Sequence, residues 1–126
     1  MARRALWFGQ DLAVRLPLER ALRSRGYTVA VVDSANATPP EPEPGSLQVV
    51  LIDLDAAGAE RGAALELGQR ERVQGGYVGL LSANWPRPER LRAERSGMRP
   101  FLKPVFPGHL DAWLHDLEQT PGPSPG

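Results

Sequence analysis

The chain of 126 residues contains no cysteine, which excludes disulfides and thiolate metal sites and gives no sign of an oxidising compartment. Its formal net charge is zero, so it lacks the basic character expected of a free-standing nucleic-acid-binding protein. The only histidines, His109 and His115, do not have the helical spacing of a paired metal site. The apolar run ending at Phe8 is too short for a signal sequence or a membrane span. We therefore expect a cytoplasmic protein that binds neither nucleic acid nor membrane.

What the sequence does contain is a regular alternation of β-like and α-like segments. With 41% apolar and 24% charged residues, the composition is that of a soluble globular domain. The predicted strands are residues 5–8, 27–32, 48–52, 77–81 and 99–102, and the predicted helices are residues 12–25, 59–72, 88–96 and 108–118. Pro17 lies inside the first predicted helix, so this helix either begins later or bends. The alternation predicts an α/β fold with a parallel sheet covered on both faces.

One connection departs from this alternation. Residues 34–46, between the second and third strands, include four prolines and show no helical periodicity. In an extended polyproline conformation this stretch is long enough to cross a sheet, but it offers little apolar surface. We expect the sheet beneath it to be thinly covered or covered by a partner chain. Residues 120–126 alternate proline, glycine and serine, which predicts a disordered tail after a single domain of residues 1–119.

Polar side chains follow three of the predicted strands. Asp53 comes directly after the third strand, Ser82 after the fourth and Lys103 after the fifth. Because the carboxyl ends of parallel strands lie at one edge, where such sheets bind ligands, we expect these residues to converge. Lys103 is the only lysine in the chain, and the remaining basic residues are all arginine. A compact ammonium suits a tight site better than a planar guanidinium, so an ion pair between Lys103 and Asp53 is expected.

These motifs resemble the receiver domain of bacterial two-component response regulators over about residues 4–119. The matching segments are the strand ends at residues 51–53 and 80–83 and the Phe-Leu-Lys-Pro sequence at 101–104. The resemblance implies a three-layer flavodoxin-like fold with five parallel strands in the order 2-1-3-4-5, the second helix being missing or replaced by the proline-rich loop. It also implies that Asp53 is the phosphoacceptor, that Ser82 senses the phosphoryl group and that Lys103 contacts it.

The chain differs from the receiver pattern where the family holds a divalent cation. Receivers carry two adjacent acidic residues after the first strand, and the corresponding residues here are Gly9 and Gln10. Mg²⁺ prefers hard oxygen ligands that include carboxylates, so Asp53 alone would make a poor site. Asp11 is a weak alternative ligand, because a shift of one position at a strand end turns a side chain elsewhere. The family's aromatic switch position also differs, since Pro100 stands there and Phe101 is one place later.

Two functions remain open from the sequence. The first is a degenerate receiver, or pseudo-receiver, without enzymatic activity, cofactor or bound metal, that binds a signalling protein or a second copy of itself independently of phosphorylation. The second is a phosphoacceptor in a two-component phosphorelay, phosphorylated on Asp53 by a histidine kinase and using Mg²⁺ in an altered site. The loss of the acidic pair favours the first. A nucleotide or flavin binder is less well supported, because no glycine-rich phosphate loop follows the first strand.

Overall fold

The computed structural model describes residues 2–32, 45–55 and 61–119. Within them the chain forms nine elements in alternating order: β1 (Arg3–Phe8), α1 (Leu12–Ser24), β2 (Thr28–Val32), β3 (Leu47–Asp53), α2 (Arg61–Val73), β4 (Tyr77–Ser82), α3 (Arg87–Arg95), β5 (Arg99–Leu102) and α4 (Pro107–Gln119). The proline-rich stretch, where the second receiver helix was expected to be missing, lies mostly outside the described residues. So does the tail at residues 120–126. None of the described helices has the length and apolar character needed to cross a membrane.

The five strands form one parallel sheet in the order β2-β1-β3-β4-β5, as expected from the resemblance. β3 lies at the centre, and every one of its residues is buried, which agrees with its mostly apolar sequence. β2 lies at an edge and is only partly buried. The predicted fold class and strand order are therefore confirmed.

Alternate residues of each strand supply the two faces of the sheet. On one face, Trp7, Leu51 and Phe101 pack with apolar residues of α1 and α4. On the other, Val50 and Leu80 pack with residues of α2 and α3. Gly79 allows close packing in β4, because an added Cβ would lie 2.8 Å from Leu51 Cδ2. The molecule thus has three layers, with helices on both faces of the sheet.

The first helix shows how a local sequence sets an element. Asp11 caps α1, its Oδ1 accepting hydrogen bonds from the backbone nitrogens of Ala13 at 3.0 Å and Val14 at 3.4 Å. The helix begins at Leu12 and runs through Pro17, so of the two alternatives for this proline, a later start or a bend, the later start is wrong. It ends at Ser24, one residue before the predicted end, because Arg25 is already non-helical and Gly26 follows with positive φ.

Candidate functional site

The carboxyl ends of β3, β4 and β5 bring the predicted polar residues together. Asp53 is the last residue of β3, Ser82 is the last residue of β4 and Lys103 directly follows β5. The backbone continues the register beyond β5, since the Lys103 nitrogen donates a hydrogen bond to the Ser82 carbonyl oxygen at 2.9 Å. The predicted convergence at one edge of the sheet is confirmed.

Asp53 and Lys103 form the expected ion pair. Lys103 Nζ donates to Asp53 Oδ1 at 2.6 Å, and the same oxygen accepts a hydrogen bond from the Asp55 backbone nitrogen at 3.0 Å. The Asp53 side chain is fully buried, and that of Lys103 is 15% exposed. Burial lowers the pKa of Lys103, but its contacts with Asp53 and Asp55 outweigh burial and raise it. The ammonium is therefore a fixed positive charge at neutral pH.

The second oxygen of Asp53 has a different environment. Asp53 Oδ2 is buried and accepts no hydrogen bond from any residue that the structure describes. A buried carboxylate oxygen without a donor is costly, and such groups are enriched at functional sites. Asp53 is thus held by Lys103 through one oxygen, while the other is free of protein donors in the described part of the chain.

Asp55 is a member of the site that the strand pattern did not identify. Its Oδ2 lies 3.2 Å from Lys103 Nζ and accepts a hydrogen bond from the Ala83 backbone nitrogen at 2.8 Å. Its Oδ1 lies 3.0 Å from Ser82 Oγ and accepts a hydrogen bond from Arg61 Nη1 at 2.9 Å. Burial raises the pKa of Asp55, but the hydrogen bonds from Ala83, Lys103 and Ser82 outweigh it, so the pKa is lowered overall.

Ser82 is buried at the centre of a small polar network. Its Oγ accepts hydrogen bonds from Arg61 Nη1 at 2.8 Å and from the Asn84 nitrogen at 3.1 Å. The single hydroxyl proton can be donated either to Asp55 Oδ1 or to the Asn84 carbonyl oxygen, which lies 2.8 Å away. The hydroxyl therefore joins Asp55 to the loop after β4.

Arg61, the first residue of α2, is the second member that the sequence did not identify. Glu89 of α3 forms an ion pair with its guanidinium, whose Cζ lies 5.9 Å from the centre of the Trp85 ring. Arg61 Nη2 also donates to the Asn84 carbonyl oxygen at 3.1 Å. In a chain whose basic residues are almost all arginine, nothing in the sequence distinguishes Arg61. Its position becomes informative only once α2 is placed against the loop after β4.

The degenerate acidic-pair positions lie beside this network without contributing charge. Gly9 is buried and has a φ of +148°, and an added Cβ would lie 2.9 Å from Asp53 Cβ. Gln10 is exposed. Asp11, the weak candidate ligand, uses Oδ1 to cap α1 instead.

The donor chemistry of this edge does not fit the Mg²⁺ that receivers bind. Asp53 Oδ1 is bound to Lys103, and Asp55 is bound by a dense set of donors. Neither Gly9 nor Gln10 brings the carboxylate that the ion prefers. Among residues 2–32, 45–55 and 61–119, no group of three or more acidic or histidine side chains is arranged to hold a metal ion.

The aromatic residues near the site contact one another and the backbone of β5. Trp85 is half-buried, and its Nε1 donates to the Phe101 carbonyl oxygen at 2.9 Å. Phe101 is buried, with its ring centre 5.5 Å from that of Trp113 in an edge-to-face contact. Pro100, at the position of the family's aromatic switch, lies within β5. No aromatic side chain therefore occupies the usual switch position.

Comparison with known proteins agrees on the fold. No protein-family model matches the chain, and no curated protein matches it. A chemotaxis response regulator of Vibrio cholerae is 15% identical, with a TM-score of 0.69, and the match covers 93% of this chain and 99% of that one. A response regulator of Burkholderia multivorans is 22% identical, with a TM-score of 0.66 and coverage of 97% and 99%.

A third solved structure is the receiver domain of a sensor histidine kinase from Pseudomonas aeruginosa, which has a magnesium ion coordinated in its active-site cleft. It is 18% identical, with a TM-score of 0.64, and the match covers 92% of this chain and 97% of that one. The fold of this chain is therefore that of response-regulator receiver domains.

Proposed function

We propose that this domain is a receiver-like signalling module that binds a partner protein, or a second copy of itself, without a phosphorylation cycle and without enzymatic activity of its own. The observation that carries the proposal is the ion pair of Lys103 with Asp53, which forms without a phosphoryl group. Asp55 is a second partner of the same ammonium, and the edge lacks the acidic pair of receivers. The absence of cysteine agrees with the cytoplasmic location that we propose with it.

The chemistry of phosphoryl transfer supports this proposal. Charge builds up on the transferring group, and its stabilisation depends on cations and donors that are already in position. Here the ammonium of Lys103 is shared between two carboxylates of the chain itself, and no pair of acidic residues follows β1. A phosphoryl group arriving at Asp53 would meet the negative charge of Asp55 without a divalent cation to offset it.

A second candidate function rests on one atom. Asp53 Oδ2 is buried and has no donor among the described residues, so no hydrogen bond from them occupies the lone pairs that a nucleophile would use. This favours the alternative, a phosphoacceptor that receives a phosphoryl group on Asp53 from a histidine kinase, with Mg²⁺ bound in an altered way.

A titration with Mg²⁺ and beryllofluoride, a phosphoryl analogue, separates the two. We expect the ¹⁵N NMR spectrum and the tryptophan fluorescence of the wild-type domain to show no saturable change at millimolar cation. The Asp53→Asn variant is the matched control. A saturable change in the wild type that Asp53→Asn abolishes would contradict the module and support the phosphoacceptor. Light scattering on the wild-type domain then distinguishes self-association from a requirement for another protein.

A further inference from the structure

The surroundings of Asp55 are unusual for a carboxylate in a turn. Donors from three separate parts of the chain converge on its two oxygens: the Ala83 nitrogen and Ser82 hydroxyl at the end of β4, the Lys103 ammonium after β5 and the Arg61 guanidinium at the start of α2. All four contacts are between 2.8 and 3.2 Å. A surface ion pair needs only one such partner, whereas this set surrounds an anion.

The chemistry of these donors is that of an oxyanion site. A main-chain N–H, a hydroxyl, an ammonium and a guanidinium all donate hydrogen bonds, and two of them carry a positive charge. The Asp55 side chain is 33% exposed, so the position that its carboxylate occupies is within reach of solvent, in contrast to the fully buried Asp53. A small free oxyanion would make the same kinds of contact if the Asp55 carboxylate were absent.

We propose that Asp55 is a tethered occupant of this oxyanion site, which keeps Ser82, Ala83 and Lys103 engaged and excludes free oxyanions such as inorganic phosphate. The covalent tether gives the carboxylate a millimolar or higher effective concentration at the donors, which free anions must exceed. This inference deepens the proposed function and rests on it, because it explains how the edge holds an anion-bound arrangement without being phosphorylated.

The test is a titration with inorganic phosphate in EDTA at constant ionic strength, followed by the ¹⁵N NMR signal of the Ala83 amide. We expect Asp55→Ala to bind phosphate saturably, at least about tenfold more tightly than the wild type, with the Ala83 signal among the most strongly shifted. Asp111→Ala is the matched control. It removes a carboxylate that is paired with Arg25, and it should bind phosphate no better than the wild type.

A second line of evidence uses stability. A ligand that binds only the folded state of a protein stabilises that state. Phosphate should therefore raise the melting temperature of Asp55→Ala and leave that of the wild type nearly unchanged. Adding Arg61→Met to Asp55→Ala should remove most of the gain. Should Asp55→Ala fail to fold, Asp55→Asn keeps the side-chain volume, removes the charge and should show the same gain in a weaker form.

Equal phosphate binding by Asp55→Ala and the wild type, or a gain that leaves the Ala83 signal unmoved, would overturn the occupant role. These outcomes are independent of the test of the proposed function, because EDTA removes divalent cations and Asp53 remains unmodified. An Asp53-dependent response to beryllofluoride would overturn the phosphorylation-independent function, whereas the phosphate titration reports only on what Asp55 excludes.

Discussion

Two ionic networks lie at opposite ends of the strands of the same sheet, here called the amino edge and the carboxyl edge, and they are built differently. At the amino edge, Glu118 of α4 accepts hydrogen bonds from Arg25 Nη2 at 2.5 Å and from the Tyr27 hydroxyl at 2.9 Å, and Arg3 Nη1 lies 3.7 Å away. One carboxylate is surrounded by donors, which ties α4 to the end of α1 and to the start of β1. At the carboxyl edge, two carboxylates, Asp53 and Asp55, share one lysine.

The difference separates a structural network from a candidate functional one. At the amino edge the donors satisfy the largely buried Glu118 carboxylate and join elements distant in sequence, and the second carboxylate near Arg25, that of Asp111, lies 3.8 Å away and is partly exposed. At the carboxyl edge, like charges are crowded and one buried oxygen of Asp53 has no donor in the described chain. Such an arrangement is costly for folding, and costly polar groups of this kind are concentrated at sites selected for binding or chemistry.

The largest expected effect comes from removing the shared lysine. We expect Lys103→Met to lower the free energy of unfolding at pH 7 by about 3 kcal/mol, because it leaves a fully buried Asp53 carboxylate without its counter-ion. Urea denaturation measures the change. Adding Asp53→Asn to Lys103→Met should recover part of the loss. If the double variant is no more stable than Lys103→Met, the cost lies in packing and not in the unpaired charge.

The Lys103→Arg variant sharpens the same point. A guanidinium is wider than an ammonium and planar, so it should not reproduce the contacts with Asp53 and Asp55 in the same space. We expect Lys103→Arg to be less stable than the wild type and more stable than Lys103→Met. An unchanged free energy of unfolding and unchanged partner binding would mean that the lone lysine is incidental.

At the amino edge, Glu118→Gln is expected to cost about 2 kcal/mol at pH 7, because it weakens hydrogen bonds to charged and buried partners. The hydrogen bond from Arg25 lowers the pKa of Glu118, with further help from Tyr27. Glu118 therefore binds a proton more readily in the unfolded chain than in the folded one. Its stabilisation is present above about pH 4.3 and is lost as pH falls through the lower pKa of Glu118 in the folded state. Urea denaturation across this range should show the two proteins converging in acid. A constant difference would contradict the ionic explanation.

Glu71→Gln has the smallest expected effect, and unlike the preceding substitutions it should raise the free energy of unfolding. It lies on α2, is 1% exposed, and neither carboxylate oxygen has a hydrogen-bond partner in the described chain. Burial raises its pKa, so the folded state binds a proton more readily and wild-type stability falls as pH rises from about 4.3 through the higher folded value. Glu71→Gln should gain about 1 kcal/mol at pH 7, because an amide is less costly to bury than a charge.

The matched control for this prediction is Glu66→Gln on the same helix, where the side chain is exposed and the change should be near zero. Urea denaturation of the three proteins at several pH values makes the comparison. A gain for Glu71→Gln that is independent of pH would show that desolvation of the carboxylate is not its cause.

The sequence predicts the sheet and the ion pair because both follow from local patterns. Asp53, Ser82 and Lys103 each end or follow an apolar strand, and parallel strands bring such positions to one edge. Asp55 belongs to the site for a different reason, because the turn after β3 directs it back toward Ser82 of the neighbouring strand. No periodicity encodes that turn.

Helix α2 shows a second limit of sequence reasoning. Its composition predicts a helix, and its first predicted residues, 59 and 60, lie outside the described chain. The buried set includes Ala64, Leu67 and Glu71, which recur at helical spacing on the face toward the sheet. Composition alone does not show that a glutamate falls on this apolar face. The burial of Glu71 is therefore set by the packing of α2 against the sheet.

The close approach of Gly9 to Asp53 limits which substitutions could add carboxylate ligands for Mg²⁺ at this edge. A carboxylate at position 9 would need a Cβ that collides with the Asp53 side chain and a backbone angle that other residues rarely adopt. Position 10 is exposed and imposes no such barrier. Building an acidic pair here therefore takes substitutions at both positions, and the one at Gly9 also requires a shift of the main chain or of the Asp53 side chain.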